Sequence, residues 1–146
     1  MSPAGRTLEA NMSEKFEKLK VWQLSHSLVL RIYSVTSNSP PDEKYGLTSQ
    51  LRHSASSVAA NIVEGCSRQS DAEFCRFLDI ALGSTGETIY HLILAKDLSL
   101  IDMDSYDKLR NDYEEVSRML IGLIKSLRKG QETAANGLQI AADCKL

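Results

Sequence analysis

The stretch from Leu47 to Arg68 constrains the fold most, because its apolar residues recur at the spacing of one helical face. These residues stand three or four positions apart: Leu47, Leu51, Ala55, Val58 and Ile62. A strand would bring every second residue to the same face, so this spacing is typical of an α-helix with one apolar side. The stretch therefore predicts an amphipathic helix that packs against other elements.

A second row of small and polar residues runs beside that apolar face. Its members keep the same helical spacing: Gln50, Ser54, Ser57, Asn61, Glu64 and Arg68. One residue is about 100° of rotation in a helix, so the row flanks the apolar face rather than opposing it. Two interpretations stay open, a solvated flank or a surface covered by protein, and the protein could be another helix of the bundle or another chain.

The same helical period continues through the rest of the chain and predicts four helices and no strand. Their approximate ranges are 13-37, 42-64, 71-98 and 103-128. Short connections between helices of this length predict an antiparallel up-down-up-down four-helix bundle over residues 13-129. The flanking residues 1-12 and 130-146 lack a comparable period and are expected to be flexible tails.

Residues with special backbone preferences predict where the helices end. Ser70, three positions before Glu73, forms a capping box that starts the third helix. Gly65 is expected to adopt a left-handed conformation after the second helix, and Gly130 is expected to end the fourth.

Two glycines, Gly83 and Gly86, fall in the middle of the third predicted helix. A glycine inside a helix costs about 1 kcal/mol relative to alanine. Because the helical period resumes in phase beyond them, we expect a neighbouring backbone to approach closely there, rather than a break in the helix.

Composition and charge limit the class of protein. The chain has 146 residues, of which 42% are hydrophobic and 25% charged, which is typical of one globular domain and excludes wholesale disorder. The formal net charge is −2, whereas a protein that coats nucleic acid is usually basic.

The cysteines and the apolar segments predict a cytoplasmic protein. Cys66, Cys75 and Cys144 are odd in number and lack metal-ligand spacing, which favours free thiols in a reducing compartment. The sequence contains no apolar run of about 18 residues, and we therefore expect no interaction with a membrane.

Residues that could carry catalysis or bind a metal are scattered. Glu87 and His91 stand one helical turn apart, but the chain lacks the paired Glu-x-x-His motifs of a bundle metal site. We therefore predict no cofactor, no metal and no enzymatic activity. A weaker hypothesis is a metal-dependent enzyme built around Glu64, Glu87 and His91.

Two kinds of contact surface are candidates. The oligomer or partner interface is predicted to use the polar row and two residues of the third helix: Gln50, Ser54, Ser57, Asn61, Glu64, Arg68, Ser84 and Glu87. Contacts to RNA or another nucleic acid are assigned to Arg52, Arg68 and Arg76, because guanidinium groups pair with phosphates.

Several segments in order resemble the four-helix-bundle proteins encoded in intervening sequences of bacterial 23S rRNA genes. The matching segments are Val21-Trp22, Ile32-Tyr33, P-x-E-x-Y-G-L from Pro41 to Leu47, Q-L-R from Gln50 to Arg52, S-V-A-A-N-I-V-E-G from Ser57 to Gly65, Arg68, E-F-x-x-F-L from Glu73 to Leu78, and I-A-x-G-S-x-x-E from Ile80 to Glu87. This resemblance covers about residues 15 to 128. It implies an antiparallel bundle assembled as a homopentameric ring, with no known catalytic activity.

The wider group includes the accessory protein of diversity-generating retroelements, which is basic and binds nucleic acid and a reverse transcriptase. This chain is slightly acidic, which argues against strong binding of nucleic acid. We therefore expect a self-associating, non-catalytic scaffold or interaction module, with an RNA-binding accessory factor as the alternative. The partner is a further copy of the chain in the first case, and RNA or a nucleic-acid-processing protein in the second.

Overall fold

The computed structural model describes residues 15–43 and 46–143, without the side chains of residue 43, 134–136 and 138–143. Four α-helices make up most of this part: α1 is Lys20–Val35, α2 is Leu47–Cys66, α3 is Asp71–Asp97 and α4 is Met103–Asp143. A short 3-10 helix, Pro41–Glu43, precedes α2. The described residues contain no strand, so the prediction of an all-α chain is confirmed. None of these helices combines the length and apolar character needed to cross a membrane.

Each helix packs against the next one in the chain, and α1 also packs against α4. The helices enclose one core built from the apolar face of each. Its fully buried side chains include Leu28, Ile32, Leu51, Ile62, Leu78, Leu92, Leu109, Tyr113 and Leu120. The helices α2 and α3 are antiparallel, because their contacts run in opposite directions along the two helices. Ser54 lies against His91, and the later residue Ser57 lies against the earlier residue Ser84.

The ends of the helices differ from prediction in three places. The second helix begins at Leu47 rather than at residue 42, after the short 3-10 helix. Residues 15–17 are helical, but the backbone is extended at Leu19, and α1 begins at Lys20 rather than near residue 13. At the other end, α4 continues past Gly130 to Asp143, so the prediction that Gly130 ends the helix is wrong. A single glycine weakens a helix by about 1 kcal/mol and does not by itself stop it. The predicted tail 1-12 lies outside the described residues.

Ser70 caps α3 as predicted, since its side chain accepts a hydrogen bond of 3.2 Å from the backbone N–H of Glu73. Gly65 does not take the predicted left-handed conformation, and no described glycine has positive φ. It lies inside α2, where an added Cβ would come within 2.7 Å of Cδ2 of Phe74. Close approach of α3, not a turn, therefore explains this glycine.

Gly83 and Gly86 also differ from expectation. The helix α3 runs through both without a break, as predicted, but an added Cβ at either position would meet nothing within 4 Å. No other part of the described chain approaches them, so the expected close neighbour is absent within one chain.

Candidate functional site

The polar row of α2 divides into a buried and an exposed part. Ser54 and Ser57 face α3, where the hydroxyl of Thr88 donates to that of Ser54 at 2.9 Å and the hydroxyls of Ser57 and Ser84 are 2.9 Å apart. Ser54 and Thr88 are essentially inaccessible to solvent. For these residues the small side chains serve packing inside the bundle, one of the two interpretations left open by the sequence.

His91 joins the same buried cluster and forms a Ser–His–carboxylate arrangement. Its Nδ1 lies 3.3 Å from Oγ of Ser54, and its Nε2 lies 4.0 Å from a carboxylate oxygen of Glu87. A serine nucleophile must reach its substrate, and Ser54 is only 1% exposed. The cluster therefore joins α2 to α3 and does not form an accessible active site.

The hypothesis of a metal centre is not supported by the geometry. Among residues 15–43 and 46–143, no three His, Cys, Asp or Glu side chains come together to hold a metal ion. Glu64 lies apart from Glu87 and His91 and pairs with Arg68 instead.

The remaining members of the polar row face outward. Asn61 turns its amide back onto its own helix, donating to the carbonyl of Ser57 at 2.8 Å. Glu64 and Arg68 form an ion pair one turn apart with side chains that are 51% and 40% exposed, and Gln50 is exposed. This part of the row is therefore open to solvent in one chain. Because the ion pair is exposed, it contributes little to stability.

Two of the three arginines assigned to nucleic acid lie together. The guanidinium groups of Arg68 and Arg76 are each 4.8 Å from the ring centre of Phe77. Each is also paired with a carboxylate, Arg68 with Glu64 and Arg76 with Glu73. The two positive charges are therefore largely balanced locally, which weakens attraction of phosphates.

Arg52 lies elsewhere, fourteen residues before the end of α2 at Cys66, or about 21 Å at 1.5 Å per residue, and Arg68 follows beyond that end. Its Nε donates to the hydroxyl of Thr36 at 2.9 Å, and its guanidinium lies 4.4 Å from the ring centre of Tyr33. The structure thus separates the predicted nucleic-acid residues into one pair and one isolated arginine.

Arg52 borders a cleft that the sequence reasoning did not identify. The cleft has a volume of about 380 Å³ and is lined by Thr36, Ser37, Ser39, Pro41, Thr48 and Arg52. From the sequence, residues 36–41 join the first two predicted helices, and no site was assigned to them. The run of hydroxyl residues before the two prolines is a signal that could have indicated a polar cleft.

The outer face of α3 carries apolar and small residues that are exposed to solvent. Ile80 is 43% exposed and Tyr90 is 59% exposed, and Gly83 and Gly86 lie between them in open space. At helical spacing these four positions share one side of α3. We call this set the α3 outer face.

Burial raises the pKa of three groups that the sequence reasoning assigned no role. The thiols of Cys66 and Cys75 are both free and buried, and removal from water raises the pKa of each. Burial also raises the pKa of Tyr113, whose hydroxyl has no hydrogen-bond partner among the described residues. Cys144 lies outside the described residues.

The protein is all-α, with a cluster of buried polar residues between α2 and α3 and an α3 outer face that is exposed to solvent. Comparison with known proteins places it more closely: the chain belongs to the family of 23S rRNA-intervening sequence proteins, whose sequence profile matches residues 17–122. This confirms the family resemblance seen in the sequence.

The chain is also similar to a solved structure. The crystal structure of a protein with unknown function from the S23 ribosomal protein family of Bacteroides thetaiotaomicron is 32% identical in sequence, with a TM-score of 0.66. The match covers 72% of this chain and 98% of that one. No curated protein matches the chain.

Proposed function

We propose that this protein is a non-catalytic, cytoplasmic scaffold or interaction module. In this proposal four antiparallel up-down-up-down helices form the subunit, and identical subunits assemble into a homopentameric ring. The single observation that carries the proposal is the α3 outer face, which combines exposed Ile80 and Tyr90 with two glycines.

The energetic argument starts from the glycines. In one chain Gly83 and Gly86 bring no contact, yet each weakens the helix by about 1 kcal/mol relative to alanine. Glycine on a helix surface lets a second backbone approach closely. Flanking apolar side chains then gain stability when that second chain removes them from water.

The neighbouring polar row supplies the second half of the proposed interface. Gln50, Asn61 and Glu64 of α2, Arg68 just after it and Glu87 of α3 keep polar groups outside the bundle core. In the proposal these groups form the rim around the apolar centre, which is the usual arrangement of protein interfaces.

A pair of matched substitutions tests the location of the interface. Gly83→Leu places a large side chain on the α3 outer face, whereas Gly122→Leu places the same side chain in open space on α4. Leucine favours a helix over glycine, so both variants are expected to fold. Size-exclusion chromatography with light scattering should show smaller particles for Gly83→Leu only, and loss of assembly in Gly122→Leu alone would place the interface elsewhere.

The second candidate function is an RNA-binding accessory factor that acts with a nucleic-acid-processing protein. The observation that favours it is the pair Arg68 and Arg76 on the ring of Phe77, since stacked guanidinium groups and aromatic rings recur in RNA recognition. Structured RNA should then bind at about 50 mM salt and dissociate as salt rises. Absence of binding at that low salt removes this candidate.

A further inference from the structure

The outer side of α1 carries a second apolar surface, in addition to the α3 outer face. Leu30 and Tyr33 are 59% and 47% exposed and stand three residues apart, so they share one side of the helix. The guanidinium of Arg52 lies 4.4 Å from the ring centre of Tyr33 and places a positive charge at the edge of this surface. We call Leu30, Tyr33 and the Arg52 guanidinium the α1 outer face.

The α1 outer face and the α3 outer face lie on opposite sides of the bundle. The helix α1 packs against α2 and α4, and it makes no close contact with α3 within the described part of the chain. The two helices are therefore diagonal neighbours across the core, and their outward sides point away from each other. Each chain thus presents one apolar surface on each of two opposite sides.

The two faces also lie at the same height along the bundle. Arg52 of α2 contacts Tyr33 of α1, and Ser54, two residues further along α2, contacts His91 of α3. Tyr33 is therefore nearly level with His91 and with its neighbour in sequence, Tyr90.

The charges of the two helices are opposite in sign. The helix α1 contains two basic residues and no acidic one, whereas α3 contains five acidic residues and two basic ones. The same contrast holds beside the exposed tyrosines, because Arg52 lies over Tyr33 and the exposed Glu87 stands one turn from Tyr90. Such a pair of surfaces is electrostatically complementary.

The shapes of the two faces are complementary as well. Leu30 and Tyr33 project large side chains from α1, whereas Gly83 and Gly86 leave open space on α3. Helices pack closely when side chains of one enter the spaces between side chains of the other. The glycines therefore suit a helix that carries large apolar residues at the same height.

We propose that the α1 outer face of one subunit packs against the α3 outer face of the next subunit in the ring. This inference rests on the self-association proposed above and names the surface that the α3 outer face binds. A closed ring of more than two subunits has head-to-tail contacts, so each chain needs two different surfaces. Rotation about a ring axis parallel to the helices keeps every residue at its height, which brings Tyr33 to Tyr90 of the next subunit and Arg52 within reach of its Glu87.

Size-exclusion chromatography with light scattering of the full chain tests the role of α1. Leu30→Arg places a charge in the centre of the proposed contact and should convert the assembly into single chains of 16.2 kDa. Ile121→Arg is the matched control, because Ile121 is an exposed apolar residue of α4 and belongs to neither face, and it should assemble as the wild type does. Circular dichroism of each variant verifies that it is folded.

Charge reversal tests the pairing between the two faces. Glu87→Arg and Arg52→Glu should each raise the protein concentration at which half of the assembly dissociates by about tenfold or more, because like charges then meet. The double variant with both substitutions restores opposite charges and should regain most of the wild-type assembly. A folded double variant that assembles no better than either single variant overturns the proposal.

The outcomes also separate this inference from the proposed function. If the wild type assembles and folded Leu30→Arg assembles equally well, the α1 outer face is not the partner surface, and self-association itself still stands. If the wild type has the mass of one chain, both the self-association and this inference are overturned.

Discussion

Gly65 of α2 lies so close to Phe74 of α3 that a methyl group at its Cα would come within 2.7 Å of the ring carbon Cδ2. The same methyl group would lie 3.1 Å from Cβ of Phe77. Carbon atoms at van der Waals contact are about 3.5–4.0 Å apart, so no side chain fits without movement of the ring or of the helix. This contact fixes how closely the two helices pack at the turn between them.

Gly65→Ala is therefore expected to destabilise the fold, although alanine is the better helix former. Overpacking of a filled core costs about 1–3 kcal/mol, which exceeds the gain of about 1 kcal/mol from replacing a helical glycine. Gly130→Ala is the matched control, because its Cβ meets nothing within 4 Å, and it should stabilise. Urea denaturation measures both, and a Gly65→Ala variant as stable as the wild type would contradict the packing described here.

Tyr113→Phe is expected to stabilise the protein. The Tyr113 side chain is fully buried and its hydroxyl has no hydrogen-bond partner in the part of the chain that the structure describes, so its removal relieves a cost of about 1–3 kcal/mol. Tyr106→Phe serves as the control, because the hydroxyl of Tyr106 accepts a hydrogen bond from Arg110 and its loss should destabilise. Equal effects of the two substitutions in thermal unfolding would count against this assignment.

The same tyrosine predicts a dependence of stability on alkaline pH. Burial raises the pKa of Tyr113 above its ordinary value of 10.0, so the folded protein keeps the phenol protonated where the unfolded chain ionises it. The unfolded state then binds fewer protons, and the free energy of unfolding falls as pH rises above about 10. Between pH 9 and 11, the free energy of unfolding of Tyr113→Phe should fall less steeply than that of the wild type, as measured by urea denaturation. Parallel curves of stability against pH for the two proteins would refute the link.

The buried thiols should react slowly in the folded protein. Cys66 and Cys75 are 5% and 4% exposed, and burial raises the pKa of both, which reduces the fraction of reactive thiolate. A Cys144→Ser variant isolates these two residues in a reaction with Ellman's reagent. We expect slow release of the coloured product under native conditions and fast release in guanidinium chloride, and equal rates would contradict the burial.

The helical period was sufficient to predict the four helices, because it reports directly which side of each helix is buried. The cap at Ser70 followed from a local motif whose partner lies three residues away. The role of Gly65 could not be predicted in this way. Its explanation is a contact with α3, and a glycine at a helix end has the same local signature whether it turns the chain or admits a neighbour.

The candidate sites show the same limit. The spacing of Ser54 and Ser57 placed them beside the apolar face but could not decide whether they meet α3 or another chain. The sequence also could not show that Arg68 and Arg76 are paired with carboxylates while Arg52 has no such pair within residues 15–42 and 46–133. Those differences depend on side-chain orientation and on the packing of Thr36 to Pro41 against α2, which only the assembled helices define.

The subunit number in solution tests the proposed assembly most directly. Native mass spectrometry of the full chain at micromolar concentration should give a single species of five times the 16.2 kDa chain mass. The α3 outer face would then be covered by a neighbouring subunit, as its exposed Ile80 and Tyr90 favour. A species of 16.2 kDa under the same conditions would contradict the proposal, since the α3 outer face would then be exposed to water in solution.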